Sequence, residues 1–388
     1  MSYRIAAIVA AVAIVAGILL AAIQRVLVLQ SGKRLQSRLI DVRTSLPRRD
    51  SQYSRYLTYY FPDFFPKTVS AASLSEQDVS DLRNIKKVDA LHLGTPRGCG
   101  EERGSPADWS VIDLSCLSSV ERVHLYGNEA IPDMLRSLVN SPRLSSIHIE
   151  SDCTKEMAEV LSEMRCLKYL HIGGAASKDA IEKIALCKSL RLLTFASIKL
   201  RPGDLVPLSQ LKQLESLSGL NGTLGLEDLR AIGQFQLLSE LDLSDCTIPV
   251  GGLELLSQCD TIQSISIANC TLAKGDIAFI GSRSCLTELK ITKCQLEPGG
   301  IQELAKLPNV QLIELEEITL DKMEFESVIK CKSIETITLI DCVIRSGSSV
   351  DVIPPISLRN LNLIRTKIDC SDLQVLSLIE GLEVHVEE

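Results

Sequence analysis

Three consecutive segments, beginning at Leu238, Ile262 and Leu286, superimpose at a 24-residue offset. They share the pattern L-x-x-L-x-L-x-x-C-x-L. Leu238, Leu241, Leu243, Cys246 and Ile248 recur as Ile262, Ile265, Ile267, Cys270 and Leu272, then as Leu286, Leu289, Ile291, Cys294 and Leu296. The L-x-L centre alternates with a period of two, which suits a short half-buried strand. The apolar run that follows (Leu253, Leu256, Cys259; Ile301, Leu304, Leu307) has a period of three and suits a helix or 3-10 turn. A unit this small cannot bury its own apolar face, so it must stack on copies of itself. Only 4% of the residues are aromatic, so such a stack is built from aliphatic ladders.

The phase extends well beyond these three units. Repeats start near residues 120, 144, 167, 190, 214, 238, 262, 286, 310, 334 and 358. Two earlier units, one degenerate at 64 and one at Val88, bring the expected number to about thirteen. The unit at Val88 is interrupted by TPRGCGEERGSPAD, a loop insertion at 95–108 rich in Gly, Pro and charge. A strand followed by a helical turn, with Cys or Asn at the ninth position, resembles the leucine-rich-repeat family, in particular its cysteine-containing and bacterial types. The resemblance covers residues 64–388. It implies an α/β solenoid with a concave parallel sheet and short helices or 3-10 turns on the convex side. The family's common property is protein binding, so the implied partner is another protein.

The start of the chain has a different character. Ile5 to Ile23 is an uncharged run of 19 residues. As a helix it would reach roughly 28 Å, close to the hydrocarbon thickness of a bilayer. A buried core helix, a cleaved signal peptide and an uncleaved anchor compete for this run. Its length, the lack of an A-x-A end and its continuation as VLVL at 26–29 favour one transmembrane helix within a segment 1–30. Arg25, Lys33, Arg34, Arg38 and Arg43 follow it, whereas only Arg4 precedes it, which places the repeats on the cytoplasmic side. A signal-peptide origin would instead make the chain secreted or periplasmic. Residues 31–63 read as a basic stalk and an aromatic cap, with Tyr53, Tyr56, Tyr59, Tyr60, Phe61, Phe64 and Phe65 covering the open end of the stack.

Cysteine placement follows the repeat. Cys246, Cys270, Cys294 and Cys342 share one inward position, and Cys187, Cys259 and Cys331 share another. Thirteen cysteines spread by phase do not form a disulfide framework, and free thiols suit a reducing compartment. The net charge of -8 argues against a nucleic-acid partner. No metalloprotease, serine-hydrolase, P-loop or dinucleotide motif is present, so no enzyme activity, cofactor or resident metal is expected.

One constellation stands out from the register. His92, His124, His148 and His171 each lie between the two apolar residues of an L-x-L centre. Their imidazoles are expected to project from the concave face in one row, about 5 Å apart. Arg122, Tyr126, Glu150 and Tyr169 are expected around them, the residue types that anchor protein interfaces. Farther on, Glu314, Glu316 and Glu317 form an acidic end. The favoured reading is a membrane-anchored module that binds a protein on this face. The alternatives are a metal-dependent enzyme, a metal- or pH-sensing subunit using the histidine row, and a secreted or periplasmic repeat protein.

Overall fold

The structure is a computed structural model. It describes residues 41–44, 67–71, 76–83, 88–93, 114, 117–126, 131–345 and 357–387, except 369, 378 and 380. The apolar run 5–23, the aromatic cluster and the insertion at 95–108 lie outside the described residues. Among the described residues no helix is long and apolar enough to cross a membrane. The chain divides into two compact units, one ending at Ser151 and one beginning at Asp152.

In the first unit, strands Lys67–Ala71, Val88–Leu93, Arg122–Leu125 and Ser146–Ile149 pair in parallel. Their alternation is the reason. Leu91, Leu93, Val123, Leu125, Ile147 and Ile149 are buried, and the residues between them face outward. Within the stretch expected as a stalk, Asp41–Thr44 is a strand and pairs antiparallel with Lys67–Ala71. It covers the free edge of the first repeat strand, a device that blocks edge-to-edge association.

Among the described residues, the long sheet has ten parallel strands of the second unit in chain order, from Tyr169–Ile172 and Leu192–Phe195 through Ser216–Ser218, Glu240–Asp242 and Ser264–Ala268 to Glu383–Glu387. Paired residues are 23 or 24 apart, as in Ile265 opposite Leu289 and Leu361 opposite Val384. The sheet is therefore the expected one: inward Leu and Ile ladders, with polar residues on the open face.

The opposite side differs from a simple 24-residue repeat. α-Helices Leu226–Gly233, Lys274–Gly281 and Lys322–Ile329 begin 48 residues apart, and 3-10 helices Val206–Gln210, Gly252–Gln258 and Ile301–Lys306 alternate with them. The 3-10 units are preceded by a proline and a left-handed glycine; Gly251, at φ +73, is one that an L side chain would strain. The first two α units carry a buried acid in the first turn, Asp228 and Asp276. Asp228 accepts from the backbone N–H groups of Gly225 at 2.8 Å, Gly203 at 2.8 Å and Leu205 at 2.9 Å. Asp276 repeats the tie to Ala273, Gly251 and Leu253 at 3.2 Å each. Each carboxylate thus satisfies orphan donors of its own helix and fastens the preceding 3-10 loop.

Two further columns follow the 24-residue spacing. Asp245, Asn269, Lys293, Glu317, Asp341 and Arg365 all have φ between 47 and 58. They link in successive pairs: Asn269 donates to Asp245, Lys293 meets Glu317 at 2.8 Å, and Arg365 meets Asp341 at 2.7 Å. Behind them Cys246, Cys270, Cys294 and Cys342 are buried, as are Cys187, Cys259 and Cys331. The thiols of Cys259, Cys270, Cys294, Cys331 and Cys342 donate to carbonyls of the preceding repeat, for example Cys342 to Leu315 at 3.3 Å. Burial pushes the thiols of Cys153, Cys187 and Cys246 up to about 12, which keeps them protonated.

Candidate functional site

The first unit brings three of the four histidines together. The pairing His92–His124–His148 stacks their rings, with centroids 4.4 and 4.8 Å apart and interplanar angles of 18° and 11°. All three are half-buried on the open sheet face. Tyr126 leans over the end of the row, its ring 6.5 Å from that of His92. Arg122, two residues before His124, is held by Asp89 at 2.8 Å, and Glu150 meets His148 Nε2 at 2.6 Å.

Stacking decides the electrostatics. Burial, then the other two histidines and Arg122, push His124 down to about 4 despite the pull of Glu150. Burial, Arg122 and His148 also lower His92. Burial and Glu150 raise Tyr126. Near neutral pH His92 and His124 are thus uncharged imidazoles, able to donate and accept hydrogen bonds. An arginine and a phenol flank it.

The second unit carries His171 and Tyr169 on its first strand, opposite Thr194 and Leu192. His171 is half-buried and Tyr169 is 44% exposed. The acidic end expected at Glu314, Glu316 and Glu317 is largely neutralised. Lys290 meets Glu314 at 2.6 Å, Lys293 meets Glu317 at 2.8 Å, and Glu316 accepts from Thr292 at 3.2 Å. The hydrogen bond to Glu314 raises Lys290, so its ammonium stays charged.

Sequence reasoning missed an open depression of about 330 Å³ on the same face of this unit. Its walls include Thr194, Ser216, Ser218, Glu240, Asp242, Ser264 and Ser266. The signal was available as a run of short hydroxyl side chains at outward positions of adjacent strands.

No family model matches the sequence, and no curated protein matches it. Solved structures of repeat proteins do. A leucine-rich-repeat protein of Leptospira interrogans is 16% identical, covering 81% of this chain and 93% of that one, with a TM-score of 0.48. An internalin of Listeria monocytogenes is 17% identical over 70% of this chain and 82% of that one, with a TM-score of 0.44. A Toll-like receptor in complex with single-stranded RNA is 15% identical over 79% of this chain and 55% of that one, with a TM-score of 0.43. Within the second unit, the parallel register and the strand-then-helix unit define a repeating α/β fold, similar to that of leucine-rich-repeat proteins.

Proposed function

We propose that this chain is a protein-binding module without catalytic activity, held to a membrane by residues 5–23 with its repeats on the cytoplasmic side. The carrying observation is the stacked His92–His124–His148 row, flanked by Arg122 and Tyr126 on a sheet face whose opposite side is fully buried. Aromatic rings and arginine on a face of fixed spacing are the anchors of protein interfaces, and rings locked by stacking lose little entropy on binding. The partner is another protein; the net charge of -8 disfavours nucleic acid.

The cytoplasmic assignment rests on the basic residues that follow the apolar run and on ten cysteines, from Cys153 to Cys342, whose side chains are described as free thiols. Capture of partners with the anchored full chain tests the binding face. A partner retained by the wild type and lost by the charge-reversed pair Arg122→Glu and Glu150→Lys is expected. Equal retention by both would overturn the assignment. Intact mass of the purified chain tests the anchor: a mature form lacking residues 1–23 would make the protein secreted or periplasmic instead.

A further inference from the structure

The depression on the second unit has a chemistry of its own. Two outward rows cross it. In one, Glu240 lies between Ser216 and Ser264 on the neighbouring strands. In the other, Asp242 follows the strand carrying Ser218 and pairs with Ser266 on the next. Each carboxylate is thus set among short hydroxyls, and the shortness of those side chains is what opens the space. Neither Glu240 nor Asp242 has an ion-pair partner among the described residues, whereas the nearby pairs Lys290–Glu314 at 2.6 Å and Arg191–Glu215 at 3.0 Å are complete. Asp242 takes the N–H of Ser244 at 3.0 Å and its hydroxyl on Oδ1 alone, which leaves Oδ2 unengaged.

Ser216 supplies an independent observation. It is only 8% exposed, it lines the depression, and its hydroxyl has no hydrogen-bond partner among the described residues. Its oxygen is reached from the depression, so a ligand or a water there completes its hydrogen bonding.

We infer that this depression receives a basic side chain, arginine ahead of lysine, from an extended segment of a protein partner. The inference rests on the protein-binding reading of the sheet face and names the chemistry that one part of it selects. The only charged groups among the lining residues are the two carboxylates, Glu240 and Asp242, so an anion is repelled and a cation is drawn in. Glu240 and Asp242 are two residues apart on one strand, roughly 7 Å along it. A guanidinium carries five N–H groups in a planar fork and can reach both carboxylates and the Ser216 hydroxyl together. An ammonium is a compact point charge and can satisfy one carboxylate at a time. No aromatic ring lines the depression to stack a sugar or a base.

The test uses the full chain in detergent, with fluorescein-labelled peptides of alternating glycine and arginine, glycine and lysine, or glycine and glutamate. Anisotropy is read at low salt. The arginine peptide is expected to bind more tightly than the lysine peptide, and the glutamate peptide not to bind. Glu240→Gln and Asp242→Asn should each weaken the arginine peptide roughly tenfold, the lower end for a hydrogen bond to a charged group at a solvated site. Ser216→Ala should weaken it by a smaller factor, and Met323→Ser, on the helical side, should not change it. Thermal melts of each variant separate lost binding from lost folding; Glu240→Gln, at an exposed side chain, is expected to melt as the wild type does.

Equal affinity for the arginine and glutamate peptides would overturn the inference, as would undiminished binding by the double carboxamide variant. Displacement of the peptide by micromolar calcium chloride would also overturn it, since the occupant would then be a metal ion. If the peptide experiment fails while Arg122→Glu and Glu150→Lys still abolish partner capture, the depression is misassigned and the protein-binding reading stands. If the peptide binds as expected and the charge reversals change nothing, the histidine row falls and the depression remains.

Discussion

Replacing Asp228 by alanine tests the joint between an α unit and the 3-10 unit before it. The carboxylate is fully buried and accepts three backbone N–H groups at 2.8 to 2.9 Å. Leu205 and Gly225 are buried and Gly203 is partly exposed, so Asp228→Ala strands two donors away from water and one near it. At about 1–3 kcal/mol per orphaned buried donor, the loss is about 2–6 kcal/mol. Removing the acid also removes its own desolvation cost, which draws the expected figure to about 3 kcal/mol. Asp276→Ala should cost less, because its three hydrogen bonds are 3.2 Å long. Asp228→Asn should fall between wild type and alanine: its one oxygen can keep the two donors on Oδ2 but presents an amide to Leu205. Hydrogen exchange followed by mass spectrometry is the assay, with peptides covering 201–211 and 222–230. Faster exchange there, with strands 264–268 and 288–292 unchanged, is the expected pattern. Wild-type exchange at both joints, or a larger effect at Asp276 than at Asp228, would refute the reasoning.

Other outcomes follow from the same structure. The folded pKa of His124 lies near 4, below the ordinary 6.5, so the unfolded chain binds the extra proton between these values. Stability should therefore fall as pH drops from about 6.5 to about 4 and level off below. His124→Ala should flatten that slope, and an imidazole titration midpoint at 6 or above would contradict the stacked environment. At Lys293 the left-handed backbone sets the order of variants. Lys293→Gly removes only a solvent-screened surface ion pair and relieves left-handed strain of about 1–2 kcal/mol, so its melt should match or exceed wild type. Lys293→Val should melt lower than both. Among the described cysteines, maleimide should label Cys166 and Cys285 in the native protein and reach the eight buried thiols only on unfolding. Native labelling of Cys246 or Cys270 would break the inward assignment.

The sheet was legible in advance because its cause is local and repeated. Leu, Ile and Val at alternate positions have one arrangement that buries them, and Cys246, Cys270 and Cys294 mark its phase. The same register placed His92, His124 and His148 outward in one row; that they stack face to face is a finding of the fold. The alternation of α and 3-10 units was not read from the chain. LELL at 253–256 and IAFI at 277–280 are both compatible with a helix, and what separates them is a proline with a left-handed glycine in one and a first-turn aspartate reaching into its neighbour in the other. The left-handed column was hidden for a related reason. Asp245 and Asn269 favour that conformation, but Lys293, Glu317 and Arg365 do not and are held there by the stack. Asp41–Thr44 is four residues long, too short for its pattern to stand out from a basic stretch. The depression escaped notice because it is made by what its serines lack, which only the placement of neighbouring strands reveals.

The central claim is that the open sheet face is the working surface. A photo-crosslinking residue placed singly at Tyr126, Tyr169 and Ser218 on that face, and at Val250 and Met323 on exposed positions of the other side, tests it most directly. With the anchored full chain in its native cells, discrete protein adducts from the three sheet-face positions, and none from Val250 and Met323, are expected. Adducts confined to Val250 and Met323 would contradict the account.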